Sequence, residues 1–406
     1  MTLPPTDQRH DRRVVGWLSV GQLITWGSVF YGFALLMEPV ERELGLTRAQ
    51  SSLAFSLALL VEGFAAYPVG RWIDRGHERA VMAGGSLVLA LGLGLHVFVS
   101  DITGFYAAWM LLGAGLAGTV YSPVFAVVTR RYPHDFRRAI ITLTFLGGLA
   151  STVFIPLTSW LVQAWGWRWA ACALGALHLL VCLPLHAVLL RDAPRSAEPG
   201  HAQAPHEARA DLGRLLRSPP YLLIAVFVVG MMGVTTALPA HMVSLLREAG
   251  LPAAWVVGVP ASIGAIQVLG RALLYFFEHR FDLHLANRLI PLLIPVGMAA
   301  LLASLAAGGS IGLALAFVGL YGLGNGMLTI VKGTAVAQYV SRAHVATLNG
   351  AMGLPTALAR AAAPWLMGLL WSPAKGYAAG LWVMLGAGVV STGALWLAQR
   401  LALRRC

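Results

Sequence analysis

Residues 220–245 have the sequence PYLLIAVFVVGMMGVTTALPAHMVSL, which contains no Asp, Glu, Lys or Arg. A helix that crosses the hydrocarbon core of a bilayer needs about 20 mostly apolar residues. This stretch is therefore long enough to span a membrane as one helix. Runs of the same kind recur along the chain, and their number and spacing decide the predicted fold.

Twelve apolar runs predict an all-α membrane protein with twelve transmembrane helices. Their predicted bounds are 14–37, 50–72, 80–100, 103–129, 138–163, 167–190, 220–245, 252–277, 284–305, 309–332, 345–370 and 376–399. The first run is longer than the apolar core of a secretory leader, so we expect it to remain as a membrane anchor.

The composition supports a lipid environment and excludes several classes of function. Of 406 residues, 58% are hydrophobic and 11% charged, too little charge to cover a soluble protein of this length. The net charge of +12 lies in short clusters between apolar runs, which argues against nucleic-acid binding. Three cysteines form no disulfide framework or metal motif, and we find no phosphate loop or nucleophile elbow. We therefore expect no metal, no cofactor and no enzymatic activity.

The twelve runs fall into two similar halves. Residues 1–190 and 220–406 predict two six-helix bundles, and the polar segment 191–219 predicts a flexible cytoplasmic linker between them. Each half has a charged loop after its fourth helix, at 130–138 and at 332–344. Such repetition is typical of transporters whose substrate lies near mid-membrane between paired repeats. We therefore predict two pseudo-symmetric bundles.

The distribution of basic residues predicts the orientation. With a cytoplasmic N-terminus, 22 of the 29 Lys and Arg fall in inner segments, while Arg271 and Arg360 fall inside helices. This asymmetry follows the positive-inside rule. We predict a multi-pass protein of the inner membrane with both termini in the cytoplasm, which an even number of spans requires.

Residues 70–79, GRWIDRGHER, resemble the loop that follows the second helix in the major facilitator superfamily. That pattern has a Gly, three residues, Asp-Arg, then a Gly and basic residues; here the second Gly comes one position early. Residues 165–168, WGWR, resemble the start of the sixth helix in the same family. The resemblance implies the twelve-helix fold and transport, with a gating role for Gly70, Asp74, Arg75 and Arg79.

A narrower resemblance is to the monocarboxylate and oxalate/formate transporter group. It rests on WGSVFY at 26–31, the segment 44–56, His241, QVLGR at 267–271 and Arg360. In that group a cation on the eighth helix, sometimes joined by one on the eleventh, binds a substrate carboxylate. Gln267 stands where the human-type carriers have an acid one turn before the Arg, and the first helix has no Lys.

Arg271 and Arg360 are the main candidates for substrate binding. An Arg at a helix centre costs about 2.5–3.5 kcal/mol on insertion scales, so it needs a polar cavity or a partner. A guanidinium also binds a carboxylate through two parallel hydrogen bonds. The alternative for Arg271 is a structural salt bridge with Glu278, two turns along the chain.

Other candidate residues for proton coupling and substrate binding follow from their positions in the predicted helices. Glu62 lies deep in an apolar run and predicts either a proton site or a permanent buried ion pair. His241 is a second proton-coupling candidate, with a packing role as the alternative. The remaining predicted substrate-binding residues are Trp26, Tyr31, Tyr121, Gln267, Tyr321 and Asn325, of which Tyr321 and Asn325 share a helix face.

These features predict a secondary transporter that moves a small organic anion, mono- or dicarboxylate-like, by alternating access. The expected partners are the solute, the bilayer and either protons or a counter-anion, in a symporter or antiporter that acts as a monomer. Two alternatives stay open. One is a proton-coupled exporter of drugs or other amphipathic compounds that uses Glu62. The other is a membrane receptor of the same fold.

Overall fold

The computed structural model describes residues 5–131, 136–191, 212–277, 282–341 and 344–404. Within these ranges the chain is helical apart from turns and one isolated bridge between Ser372 and Gly376. The chain divides into two compact units, Met1–Glu198 and Pro199–Cys406. The division falls inside the predicted linker, of which residues 192–211 lie outside the described part, so the role of 191–219 stays a prediction.

The first unit contains helices α1 to α6. Helix α1 consists of Pro5–Thr25, a π-helical turn Trp26–Tyr31, and Gly32–Leu44; α2 is Arg48–Asp74; α3 is Glu78–Gly94, followed by the short turn Leu95–Phe98; α4 is Ile102–Ala117 with Tyr121–Arg131. Helix α5 is Phe136–Gly148 together with the start of Ala150–Leu177, and α6 is the remainder of that helix with His178–Cys182 and Leu183–Leu189. Gly166, at φ 74°, divides α5 from α6.

The second unit contains helices α7 to α12. They are α7 Pro219–Glu248, α8 Ala253–Phe277, α9 Leu283–Ala306, α10 Ile311–Tyr339, α11 Val345–Ala351 with Gly353–Leu369, and α12 Ala378–Leu403. Nine helices among the described residues are long and apolar enough to cross a membrane, and one of these, at 139–189, includes both α5 and α6. Helices α4 and α11 are divided into shorter pieces. Each of the twelve predicted spans thus has a helical counterpart.

Several predicted spans differ from the observed helices, including the first, which was predicted to end at residue 37 but continues to Leu44. Helix α4 is interrupted at residues 118–120, and α11 at Met352, where the sequence predicted continuous helices. Helix α10 was predicted to end at residue 332 but continues to Tyr339. The neutral residues 333–339 extend the helix by about two turns, so Lys332 belongs to the helix and not to the loop after it.

The two units repeat one contact between the end of their first helix and a distant tryptophan. In the first unit, Trp167 Nε1 donates to Glu43 at 2.5 Å, and Arg168 forms an ion pair with the same carboxylate. In the second unit, Trp371 Nε1 donates to Glu248 at 2.9 Å. Each Glu precedes a glycine in the left-handed region by two residues, at φ 64° and 79° respectively. The repetition supports the predicted pseudo-symmetry of the two bundles.

Candidate functional site

Arg271 lies on α8 where that helix packs closely on α10. A Cβ on Gly326 of α10 would collide with the Gln267 backbone of α8, so only glycine allows this approach. One turn after Gln267, Arg271 Nε donates to the Gly326 carbonyl oxygen at 3.3 Å. The guanidinium of Arg271 therefore lies against the backbone of α10.

Lys332 is a further basic residue near Arg271 and Arg360 that the sequence analysis did not select as a candidate. Two turns before the end of α10, it is partly buried, and its Nζ lies 2.8 Å from the Met232 sulfur of α7. A thioether is a weak acceptor, and an ammonium has three N–H donors. The charges of Arg271 and Arg360 are both close enough to act on the Lys332 ammonium.

Arg360 reaches the same region from α11. Its neighbours Ala359 and Ala363 pack against Gly233 of α7, next to Met232. Helix α7 therefore contacts α10 through Met232 and α11 through the adjacent Gly233. Lys332 and Arg360 interact electrostatically in this region. Arg271 of α8 and Arg360 of α11 thus both lie within electrostatic range of the Lys332 ammonium of α10.

The described acids of the second unit lie at the ends of helices. The acids of residues 219–406 are Glu248, Glu278 and Asp282. Glu248 ends α7 and accepts from Trp371, and Asp282 caps the start of α9. Glu278, the alternative partner of Arg271, lies outside the described residues. The two acids that the structure describes in this unit thus lie at helix ends.

The other predicted substrate-binding residues of the second unit differ in how close they lie to Arg271. Gln267 lies one turn from Arg271, and Asn325 is adjacent to Gly326, the acceptor of Arg271. Tyr321 is fully buried, with its ring 5.2 Å from that of Phe317 and its backbone against α9. Gln267 and Asn325 thus lie close to Arg271 along their helices, while Tyr321 is part of the packed core.

Two of the predicted aromatic residues of the first unit, Trp26 and Tyr121, lie in one cluster. Trp26 stacks on Phe30, with centroids 4.2 Å apart, and lies 5.1 Å from Tyr121. Tyr31 ends the same π-helical turn. The indole Nε1 of Trp26 is buried and has no acceptor among the described residues. Such a donor costs free energy when unsatisfied, which favours a ligand or water contact there.

The two proton-coupling candidates differ in their surroundings. Glu62 is 7% exposed in the middle of α2, one turn after Ala58, whose backbone packs on Gly113. His241 is fully buried, with Nε2 at 2.9 Å from the Pro364 carbonyl and Nδ1 at 3.1 Å from the Tyr377 hydroxyl. A neutral ring that donates to Pro364 and accepts from Tyr377 satisfies both nitrogens.

The predicted gating segment joins α2, α3 and α6. Arg79 Nε donates to the Ala187 carbonyl near the end of α6 at 2.7 Å. Arg75 caps α2 and is exposed, and Gly70 lies in the last turns of α2. The side chain of Asp74 lies outside the described part. Arg79 thus fixes the start of α3 to the end of α6.

Comparison with known proteins gives one family. A model described as Major Facilitator Superfamily matches residues 18–286. Monocarboxylate transporter 13 of Bos taurus is 32% identical over 256 residues, which cover 60% of this chain and 55% of that protein. The oxalate:formate antiporter of Oxalobacter formigenes is 29% identical over 244 residues, covering 58% and 55%. The chain spans about half the length of these relatives.

Solved structures share the whole architecture. A bacterial homologue of the human lysosomal transporter Spinster superposes with a TM-score of 0.75 at 18% identity, covering 99% of both chains. A D-xylose-proton symporter superposes with a TM-score of 0.78 at 15% identity, covering 94% of this chain and 96% of that one. At such identities the likeness establishes the fold alone.

Proposed function

This chain belongs to the major facilitator superfamily of membrane transporters, and we propose that it moves a small organic anion by alternating access. As a member it is a multi-pass membrane protein and not an enzyme. The proposed anion is carboxylate-like, since the relatives include proteins named as monocarboxylate transporters and an oxalate:formate antiporter. The coupling partner in this proposal is a proton or a counter-anion.

One observation gives the main support for an anionic substrate. Arg271 and Arg360, from two different helices of the second unit, both lie within electrostatic range of Lys332. Three cations in an apolar environment are costly unless charge or water compensates them. A carboxylate that enters between the helices supplies that compensation, and each guanidinium can bind it through two hydrogen bonds.

The remaining parts of the proposal concern the whole protein. The two bundles, residues 1–190 and 220–406, alternate about the site as the linker 191–219 allows. Basic loops orient the chain with both termini in the cytoplasm of an inner membrane, and the transporter acts as a monomer. Trp26, Tyr31 and Tyr121 of the first unit remain candidate solute-binding residues in this proposal.

Uptake into proteoliposomes tests the proposal. Vesicles with the purified chain should accumulate a labelled carboxylate, and Arg271→Ala and Arg360→Ala should abolish the uptake, while Arg404→Ala, an exposed control at the end of α12, should not. Unchanged transport in both Arg variants would remove the anion site. Efflux of cationic drugs that Glu62→Gln stops, without carboxylate uptake, would support the exporter alternative.

A further inference from the structure

We propose that the hydrogen bond between Ser28 and His178 positions Trp26 for solute binding, so that His178 is a positioning residue of the first unit. The inference rests on the proposed function, since it takes Trp26 as a contact of the solute. It assigns to the indole Nε1 of Trp26 a hydrogen bond to a solute oxygen. It also gives a role to a buried histidine of α6 that the transport proposal leaves without one.

Both π-helical turns in the described part of the chain lie in the first unit, and one hydrogen bond joins them. In α1, the Gly32 amide donates to the Gly27 carbonyl oxygen, five residues earlier. In α6, the Leu183 amide donates to the His178 carbonyl oxygen in the same way. Ser28 lies within the first turn, and its Oγ is 2.7 Å from His178 Nε2. Such turns are rare and occur frequently at functional sites.

The Ser28 and His178 side chains act through another residue, because both are fully buried. Neither can touch a solute in this structure. Nδ1 of His178 has no partner within the described ranges, so the bond from Nε2 to Ser28 is the polar contact of the ring. A buried polar group that loses its partner costs free energy. The two π-helical turns are therefore held against each other.

Close packing holds the rest of the turn in α1. A Cβ on Gly27 would collide with the Phe154 ring of α5, and a Cβ on Gly32 would lie 3.7 Å from Leu174 of α6. Glycine at position 27 therefore lets the turn approach α5. The Ser28 contact adds a directional hydrogen bond to this packing. It fixes the rotation of the turn as well as its distance from α6.

Trp26 begins the same π-helical turn, two residues before Ser28. Its ring stacks on Phe30 and lies 5.1 Å from the Tyr121 ring. Its indole Nε1 is buried without an acceptor in the described part. An indole N–H can only donate, and a carboxylate oxygen is a strong acceptor. A rotation of the turn would redirect this N–H, so the bond between Ser28 and His178 sets where it points.

Ser28→Ala and His178→Leu test the proposal on the purified full-length chain. The probe is whichever of labelled oxalate, malonate, succinate and lactate the parent binds most tightly. Each variant should weaken the affinity for that carboxylate by about 3- to 10-fold, the effect of one neutral hydrogen bond. His178→Gln, whose amide can still bond to Ser28, should restore most of the affinity lost in His178→Leu.

Ser86→Ala is the matched control. The Ser86 Oγ lies 2.8 Å from Nδ1 of His186, a second histidine of α6. This pair is buried as well, but it joins α6 to α3 and not to the π-helical turn of α1. Ser86→Ala should therefore lower the unfolding temperature about as much as Ser28→Ala. Its affinity for the carboxylate should change by less than about twofold.

A double-mutant cycle separates positioning from stability. Trp26→Phe removes the indole donor and should itself weaken the affinity for the carboxylate. Adding Ser28→Ala to Trp26→Phe should weaken it no further, since the donor that Ser28 positions is already absent. Additive losses would show that the bond between Ser28 and His178 does not act through Trp26, and would overturn the proposal.

The outcomes distinguish this inference from the proposed function. Parent-like affinity in Ser28→Ala or in Trp26→Phe, with binding lost in Arg271→Ala, would overturn the positioning role and leave the proposed function standing. Equal losses of affinity in Ser28→Ala and Ser86→Ala would also overturn the positioning role. Ser28→Ala decides the matter if His178→Leu does not fold. Absence of carboxylate binding by the parent would overturn both proposals.

Discussion

The indole Nε1 of Trp371 donates a hydrogen bond to the Glu248 carboxylate at 2.9 Å and so fixes the end of α7 to the segment between α11 and α12. The first unit has the same arrangement, in which Trp167 donates to Glu43. Tryptophan and glutamate are 123 residues apart in one case and 124 in the other. The two bundles therefore share a stabilising contact at corresponding points of their sequences.

Loss of this contact should destabilise each bundle modestly. Trp371→Phe or Trp167→Phe removes the donor and keeps most of the ring, and a hydrogen bond to a partly exposed carboxylate is worth about 1 kcal/mol. Thermal unfolding of the purified protein should shift down by about 2–4 °C. Trp382→Phe, at a tryptophan that is 63% exposed in α12, is the control and should change little. Equal shifts in all three variants would contradict the assignment.

Close packing of α8 on α10 should tolerate no side chain at Gly326. Gly326→Ala places a methyl group against the Gln267 backbone carbonyl, which forces the helices apart and displaces Arg271. We expect the free energy of unfolding to fall by about 1–3 kcal/mol, as for other overpacked sites. Stabilisation of the protein by a bound ligand should be lost as well.

The same helix offers a matched control at Gly333, where an added Cβ meets no neighbour. Gly333→Ala should be neutral or slightly stabilising, because alanine favours helix more than glycine does. Thermal unfolding with and without carboxylate measures both effects. A Gly326→Ala protein as stable and as responsive as Gly333→Ala would show that the close approach has no role in positioning Arg271.

The contact from Arg79 to the Ala187 carbonyl should hold the end of α6 in place. In Arg79→Ala, backbone amides of residues 183–189 should exchange with deuterium faster than in the parent, since local opening becomes easier. Arg75→Ala, which removes an exposed side chain from the same loop, should leave exchange in that segment unchanged. Identical exchange in Arg79→Ala and the parent would refute the anchoring role.

We expect His241 to have a packing role. If transport is coupled to a proton, we expect Glu62 to bind it. Both nitrogens of His241 have partners when the ring is neutral, so the ring needs no further proton. His241→Gln should lower the unfolding temperature but leave the shape of the uptake–pH profile unchanged. Glu62→Gln should flatten that profile if protons drive uptake. A flattened profile in His241→Gln alone would reverse the two roles.

The sequence was sufficient to predict the fold and the family. The length of each apolar run and the position of basic loops are local properties, so twelve helices, two bundles and the family of residues 18–286 are confirmed. Arg271 and Arg360 were found because a charge inside an apolar run is conspicuous.

The remaining features of the structure depend on tertiary contacts that the sequence alone does not show. Lys332 borders an apolar run and was assigned to a loop, because a charge at the end of a span usually marks its end. The neutral residues after it continue the helix to Tyr339, and only the structure reveals that its ammonium contacts the Met232 sulfur of α7. The contacts of Glu43 and Glu248 join segments more than 120 residues apart and could likewise not be predicted from the sequence.

Equilibrium binding of labelled oxalate, malonate, succinate and lactate to the purified full-length chain tests the anion site most directly. We expect saturable binding of at least one of these to the parent and to Arg404→Gln. Affinity should fall by about 100-fold in Arg271→Gln and in Arg360→Gln, because each loses a bidentate charge pair. Parent-like affinity in both variants, or no carboxylate binding at all, would contradict the account.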